Sequence, residues 1–240
     1  MIGLLTENFS LYHDLVSLLK KRNLPFISLN FDDEIPLNVD VIITSPEEKN
    51  KINFDKIVSC PKNCDLDNVI DKAILLSYGE GKIIFGIDPG KNIGIAIFGN
   101  KKLIRSFIVG TPEEAVKSIK YFIDYAGINS AIVRIGNGAR IIRNRIINLL
   151  QNQELKIEIV NENDMARIND DEKAAISIAM KEGKEVIGKM DVEPKEGEIK
   201  EMQKMSRIKS KNITISKKLA KKVLMGEISL EEAIEKQRNH

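Results

Sequence analysis

The sequence predicts an α/β fold: a small α/β domain with a parallel sheet, then a mixed five-stranded sheet with helices, then a short helical tail. Short apolar strands alternate with helical stretches up to about residue 79, which is typical of a parallel sheet. Three strands then follow one another directly, separated by tight turns. Beyond residue 185 the apolar periodicity fades into charged sequence. We therefore expect domains at 1–79, 82–184 and 185–240.

The first segment, residues 1–79, is predicted to be a small Rossmann-like α/β domain. Its strands are IGLL, FISLN, VDVIITS and DKIVSC, and its helices are LYHDLVSLLKKR and NVIDKAILLSYG. No glycine-rich loop follows the first strand, where TENFS stands instead, so no motif supports nucleotide binding. We interpret this segment as a structural or interaction module.

The second segment, residues 82–184, opens with the strands KIIFGIDPG, IGIAIFGN and KLIRSFIVG. A helix follows, with Thr111 as its N-cap, Pro112 at its first position and Gly127 at its end. Next come the strand NSAIVRIG, the helix ARIIRNRIINLLQNQ, the strand KIEIV and a helix starting near DDEKAAISIA. The hairpins make the second strand antiparallel and the helical crossovers make the later strands parallel, which leaves the strand of Asp88 near the middle of the sheet.

The third segment, residues 185–240, is predicted to be a charged linker followed by a basic helical tail with two short helices. The first helix is capped by Ser216 and stopped by Gly226, and the second carries Ser229 and Glu232 as a capping box. Residues 199–222 hold nine basic side chains and one acid. Such a run either binds phosphate or forms a solvated face. The predicted nucleic-acid-binding residues are Lys204, Arg207, Lys209, Lys211, Lys217, Lys218, Lys221 and Lys222 here, with Lys91, Arg140 and Arg143 in the second segment.

The composition and the start of the chain argue against a membrane protein, a secreted protein and a zinc site. The formal charge of +2 is too small to indicate a partner, and no stretch approaches the roughly 18 apolar residues of a membrane span. The start MIGLLTENFS lacks the basic flank of a signal peptide, so we expect a soluble, cytoplasmic protein with no membrane partner. Cys60 and Cys64 are too few for a zinc site, because the chain offers only His13 and His240 besides them. We expect ordinary thiols.

One acid, Asp88, stands inside the apolar run IIFGIDPGKNIGIAIFG, where an unpaired carboxylate is costly. This stretch and the strand order resemble the ribonuclease H-like superfamily, and within it most closely the RuvC-type Holliday-junction resolvases and the YqgF-like group. Three later stretches add to the resemblance: the turn IGNG after the fourth strand, the end of the fifth strand at Glu162, and the helix start DDEKAAISIA at Asp171.

The resemblance implies a metal-dependent nuclease. It assigns catalysis and the binding of Mg²⁺ or Mn²⁺ to Asp88, Glu162 and Asp171, with Asp170 or Asp164 as a further ligand. Carboxylates suit this chemistry because in-line attack on a phosphodiester develops charge that two divalent ions stabilise. In one place the sequence departs from the RuvC pattern: Ile135, Gly136 and Asn137 stand where that group carries an acid, and the YqgF-like group also lacks it.

Several alternatives stay open at this point. The chain is either a nuclease acting on structured or branched DNA or RNA, or an inactive relative that binds nucleic acid or a protein. Asp170 also fits the N-cap of the last helix, and Glu162 and Asp164 also fit ordinary turn acids. An actin-like ATPase is disfavoured because no second phosphate loop is present. We expect contacts with the nucleic-acid backbone, and the sequence leaves a homodimer open.

Overall fold

A computed structural model describes residues 1–79, 81–151, 155–162 and 170–239. These residues form two β-sheets with their helices and a group of three helices near the C-terminus. The first sheet is parallel throughout, with strand order β2–β1–β3–β4. Its strands are β1 (Ile2–Leu4), β2 (Phe26–Ser28), β3 (Val41–Thr44) and β4 (Ile57–Ser59). The helices of this part are α1 (Phe9–Lys21), α2 (Leu66–Tyr78) and a single 3-10 turn (Lys49–Lys51).

Both helices start at capping side chains. The Asn8 side chain accepts the backbone N–H of Leu11 at the start of α1, and the Asp65 side chain accepts that of Asp67 at the start of α2. Each cap satisfies a backbone donor that has no partner within the helix. The apolar side of α1 then packs Leu15 and Leu19 into the core.

The second sheet is mixed, as predicted, and has strand order β10–β9–β8–β5–β6–β7. Its strands are β5 (Ile83–Asp88), β6 (Ile93–Gly99), β7 (Lys102–Val109), β8 (Ala131–Gly136), β9 (Leu155–Val160) and β10 (Lys184–Glu185). β6 is antiparallel to both β5 and β7, whereas β8 is parallel to both β5 and β9. The edge strand β10 was not predicted, because two exposed charged residues carry no apolar pattern.

Helices cover both faces of this sheet: α3 (Pro112–Ala126), α4 (Arg140–Leu150) and α5 (Asp171–Met180). Alternate residues of β6 show the division. Ile95 and Ile97 belong to the large core that includes Phe122 of α3, whereas Ala96 and Phe98 pack with α5. Burial on both faces explains why the strands are nearly continuous apolar runs.

A buried ion pair network joins the two sheets. The carboxylate of Asp71, on α2, is fully buried and lies 2.7 Å from Nη2 of Arg22 and 2.9 Å from Nε of Arg105 on β7. Burial raises the pKa of Asp71, and both arginines act against that rise. The apolar residues on both sides, among them Leu4 and Phe85, form one continuous core.

The tail contains three helices around a small core of their own, α6 (Glu196–Ser210), α7 (Lys217–Leu224) and α8 (Leu230–Arg238). The predicted α7 and α8 are present with their caps, but α6 begins inside the predicted linker. Its buried positions are only Ile199 and Ser206, so the apolar periodicity was too weak to read. In the described part of the chain, none of the helices has the length and hydropathy needed to cross a bilayer.

Candidate active site

Asp88 ends the central strand β5 and stands opposite Gly94 of β6. Its carboxyl is half-buried, and its pKa is raised from 3.8 to about 6. Burial is the largest cause, followed by the negative charges of Glu162 and Asp171. Glu162 and Asp171 thus lie near enough to Asp88 for their charges to act on its carboxyl.

Asp171 reaches this edge because α5 lies directly on the backbone of β5 and β6. A Cβ at Gly94 would lie 2.0 Å from the carbonyl oxygen of Asp171, and a Cβ at Gly86 would lie 2.1 Å from that of Ala175. Only glycine permits so close an approach of a helix to a strand. The two glycines thus set the height at which the first turn of α5 presents Asp171.

Glu162 follows β9 and fills space that two glycines leave open. Its Oε1 accepts the backbone N–H of Gly138 at 3.1 Å. A Cβ at Gly136 would lie 2.3 Å from the same oxygen. The turn where RuvC-type sequences carry an acid is thus shaped here to receive a carboxylate from the neighbouring strand. This role of the glycines was not predicted from the sequence, although their position on either side of Asn137 was the available signal.

Asp170 and Asp164 were predicted as further ligands. Asp170 is exposed and caps α5, accepting the backbone N–H of Lys173 at 3.1 Å, and this hydrogen bond is the main cause that lowers its pKa. Its other oxygen is 3.4 Å from Nζ of Lys173. Asp164 lies outside the described residues. Glu172, which was not predicted, accepts the Ser106 hydroxyl at 2.6 Å and ties α5 to β7.

The donor atoms at this edge suit a hard divalent cation, since all are carboxylate oxygens. Among the residues that the structure describes, no group of three Asp, Glu, His or Cys side chains is close enough to hold a metal ion by itself. Mg²⁺ usually takes one or two protein carboxylates and completes its octahedron with water and substrate phosphate. Asp88 with one neighbouring acid meets that requirement.

Two arginines predicted to bind nucleic acid are used within the protein. Arg140, at the start of α4, forms a two-pronged pair with Glu198 of α6, both N–O distances being 2.8 Å. The buried Arg143 donates to the carbonyl oxygen of Asn137 at 3.1 Å and to the side chain of Asn144 at 2.9 Å. Arg140 thereby links α4 to α6, and Arg143 holds the turn that contains Asn137.

Most basic side chains of the tail are exposed and form no ion pair within the described residues. The basic side chains of α6 and α7 and of the loop between them are exposed, apart from the half-buried Lys222. Three of them pair with acids: Lys209 with Glu231, Lys217 with Glu196 and Lys222 with Glu227. Those that form no ion pair within the described residues are Lys200, Lys204, Arg207, Lys211, Lys218 and Lys221.

The position of Lys91 shows that the basic tail (α6 to α8) lies near the acidic edge, the end of the second sheet that carries Asp88, Glu162 and Asp171. It is exposed in the turn after Asp88, and together with Lys209 it lowers the pKa of Glu231 on α8, with Lys209 the larger cause. Arg140, two residues beyond the Gly138 that binds Glu162, contacts α6. The tail therefore lies beside the edge that carries the three acids.

Comparisons with known proteins match the two ends of the chain. Residues 1–76 match the family model of a response regulator receiver-like domain, and residues 195–239 match that of a three helical bundle domain. None of the curated proteins matches the chain significantly.

The solved structures that align with the chain do so weakly. Two crystal structures of Argonaute from Marinitoga piezophila, in complex with a 5′ OH guide RNA without and with target DNA, align at 11% identity over 71% of this chain, with TM-scores of 0.27 and 0.25. The alignments span 41% and 40% of the Argonaute chain. A Ppx/GppA family member from Aquifex aeolicus aligns at 10% identity over 95% of this chain and 74% of its own, with a TM-score of 0.18. Scores this low carry no conclusion about function.

Proposed function

We propose that this chain is a ribonuclease H-like nuclease of the RuvC and YqgF-like type, which hydrolyses phosphodiester bonds in DNA or RNA with Mg²⁺ or Mn²⁺. The proposal is supported mainly by the position of Asp88, a half-buried acid at the end of a central strand whose pKa is raised by burial and, to a smaller extent, by the charges of Glu162 and Asp171. A cluster of like charges at the end of a central strand is unfavourable unless a cation compensates it.

The topology agrees with the fold that the resemblance implies. β5, β6 and β7 form two successive hairpins, β8 and β9 are added in parallel beyond β5, and α5 packs across β5 and β6. The acids come from β5, from the residues after β9 and from the start of α5. Fold alone does not determine function, so the proposal depends on the acids.

Each residue has a defined part in the proposed reaction. Asp88 is the central metal ligand, with Asp171 beside it and Glu162 held in place by the Gly138 N–H. Stabilising the charge that in-line hydrolysis develops on the attacking and leaving oxygens is the chemistry that a bound Mg²⁺ or Mn²⁺ supplies. The exposed basic residues of the tail, among them Lys204 and Arg207, hold the phosphate backbone.

The inactive alternative rests on a specific observation. The end of β8 carries Gly136 and Asn137 instead of an acid, and the described residues contain no group of three ligating side chains. In that case the chain keeps the fold and the basic tail, and binds nucleic acid without cutting it. Calorimetry separates the two functions, because the inactive protein would show no affinity for Mn²⁺ or Mg²⁺ in the millimolar range.

Cleavage tests the nuclease directly. We expect the full chain to cut labelled single-stranded, duplex or four-way-junction DNA or RNA only with Mg²⁺ or Mn²⁺, and we expect Asp88→Asn to reduce the rate by orders of magnitude with little change in substrate binding. The matched control is Asp55→Asn, the same change at an exposed acid in the first segment. Equal cleavage by both variants would contradict the assignment.

A further inference from the structure

Two thiols meet at the carboxyl end of the first sheet. Cys60 follows β4, Cys64 precedes the cap of α2, and their Sγ atoms are 2.6 Å apart. Both cysteines are free, and the Cys60 thiol also lies 3.7 Å from the carbonyl oxygen of Pro61. The pair belongs to neither the acidic edge nor the basic tail.

The spacing of the sulfur atoms favours a redox pair over a metal site. Two thiolates on one tetrahedral Zn²⁺ stand about 3.8 Å apart, as bonds of about 2.3 Å require. The described residues also offer no third ligating side chain close enough to Cys60 and Cys64 to complete a metal site. Sulfur atoms in van der Waals overlap need only a small rotation to bond to each other.

The two thiols differ in their access to small molecules. Both line a cleft of about 340 Å³ between the start of α1 and the ends of β3 and β4, with Asn8, Ser45 and Lys62 among the other lining residues. Cys60 is buried and Cys64 only half-buried. Burial, with the neighbouring Cys64, raises the pKa of Cys60 to about 12, which keeps that thiol protonated at neutral pH. A reagent entering the cleft therefore meets Cys64 as the reactive thiol.

We propose that Cys60 and Cys64 are an oxidation site that forms an intramolecular disulfide with hydrogen peroxide. The Cys64 sulfur attacks one peroxide oxygen, the O–O bond breaks, and water leaves as Cys64 becomes a sulfenic acid. The Cys60 sulfur then attacks the sulfur of Cys64, and the hydroxyl leaves as water with the proton from Cys60. Two thiols and one peroxide thus yield one disulfide and two water molecules.

The cysteine pair lies next to a contact with α3, one of the helices that cover the second sheet. The hydroxyl of Tyr125, on α3, lies 3.4 Å from the carbonyl oxygen of Ser59, the residue before Cys60. Lys72 of α2 donates to the carbonyl oxygen of Tyr125 at 2.7 Å and stacks on its ring. The residue just before the loop that the disulfide would close therefore contacts α3, which packs on the second sheet.

Titration of the reduced full chain with hydrogen peroxide, followed by maleimide labelling and intact-mass measurement, tests this site. We expect both thiols to be lost together, with the unlabelled protein about 2 Da lighter than the reduced protein and restored by dithiothreitol. Stepwise gains of about 16 Da without that loss, or continued labelling of both thiols, would overturn the proposal.

Single-cysteine variants separate the two roles. Cys60→Ser leaves Cys64 without its partner, so we expect dimedone to trap a sulfenic acid there that the parent does not accumulate. Cys60→Ala serves if the serine variant fails to fold. Cys64→Ser should react much more slowly because Cys60 is buried. Equal dimedone labelling of the parent and Cys60→Ser would contradict the resolving role of Cys60.

Discussion

At the scale of single residues, the arrangement of the three acids at the acidic edge destabilises the folded protein. Asp88 is surrounded by apolar strand residues and faces two other acids, and both conditions disfavour its ionised form. Glu162 receives a backbone N–H, and Asp171 sits at the start of a helix, where the dipole favours a negative charge. Asp88 has no comparable compensation among the described residues, which is why we assign it as the central ligand.

The raised pKa of Asp88 gives a pH dependence of known sign. The folded protein holds the proton more tightly than the unfolded chain, so the free energy of unfolding falls as pH rises from about 3.8 to about 6. A shift of two pKa units corresponds to about 3 kcal/mol, which contact with solvent reduces to about 1 kcal/mol.

In metal-free buffer, Asp88→Asn should abolish the decrease in the free energy of unfolding between about pH 3.8 and pH 6. The measurement is denaturant unfolding of the parent and the variant at pH values across that window. The difference in stability between them should grow with pH in favour of the variant. A difference that does not change with pH would show that Asp88 titrates normally.

At the scale of elements, glycines determine how closely α5 and the Glu162 side chain approach the strands of the second sheet. Gly86 and Gly94 let α5 rest on strand backbone, and Gly136 leaves room for the Glu162 carboxylate. The two kinds of contact differ in cost. A methyl group at Gly94 would meet a backbone carbonyl that cannot move alone, whereas one at Gly136 would meet the end of a flexible side chain.

Gly94→Ala should therefore destabilise the protein by about 3 kcal/mol, because α5 must move away from β6. Gly136→Ala should cost less stability but displace Glu162, and so weaken metal binding. The control is Gly197→Ala in α6, where a new Cβ meets nothing within 4 Å and a small gain of about 0.5 kcal/mol is expected. Thermal or denaturant unfolding ranks the three. A Gly94→Ala protein as stable as the parent would contradict the packing described here.

The sequence predicted most of these elements because their signals are local. The strands around Asp88 are strongly apolar, and Thr111, Ser216 and Ser229 cap their helices as expected. The predicted start of the last helix at DDEKAAISIA also matches α5, which begins at Asp171.

What the sequence could not supply depends on contacts far apart in the chain. Arg140 and Glu198 pair although they are 58 positions apart, and no local sequence pattern predicts this pairing. The role of Gly136 becomes apparent only when Glu162 is placed against it.

At the scale of the whole molecule, charge is separated although the net charge is only +2. The acidic edge carries three carboxylates, and the adjacent tail presents basic side chains without acidic partners among the described residues. A nucleic acid held by the tail would bring its phosphates to the acids, where bound metal offsets the repulsion between them.

Neutralising the tail should therefore lower the salt dependence of nucleic-acid binding. We expect the triple variant Lys204→Gln, Arg207→Gln, Lys218→Gln to bind duplex DNA more weakly, with the slope of log K against log salt reduced by about 0.9 for each lost phosphate contact. Lys20→Gln, Lys21→Gln, Lys56→Gln makes the same change in net charge at exposed sites of the first segment. Equal slopes for the two triple variants would show that the tail is only a solvated surface.

Thermal unfolding of the parent and of Asp88→Asn, each with chelator and with Mn²⁺ or Mg²⁺, shows whether Asp88 binds a divalent cation. We expect metal to raise the Tm of the parent by mass action and to leave the variant unchanged. In chelator the variant should be at least as stable as the parent, because one of three like charges is gone. A loss of stability in Asp88→Asn that is the same with and without metal would contradict the account, since it would show that Asp88 is a structural carboxylate.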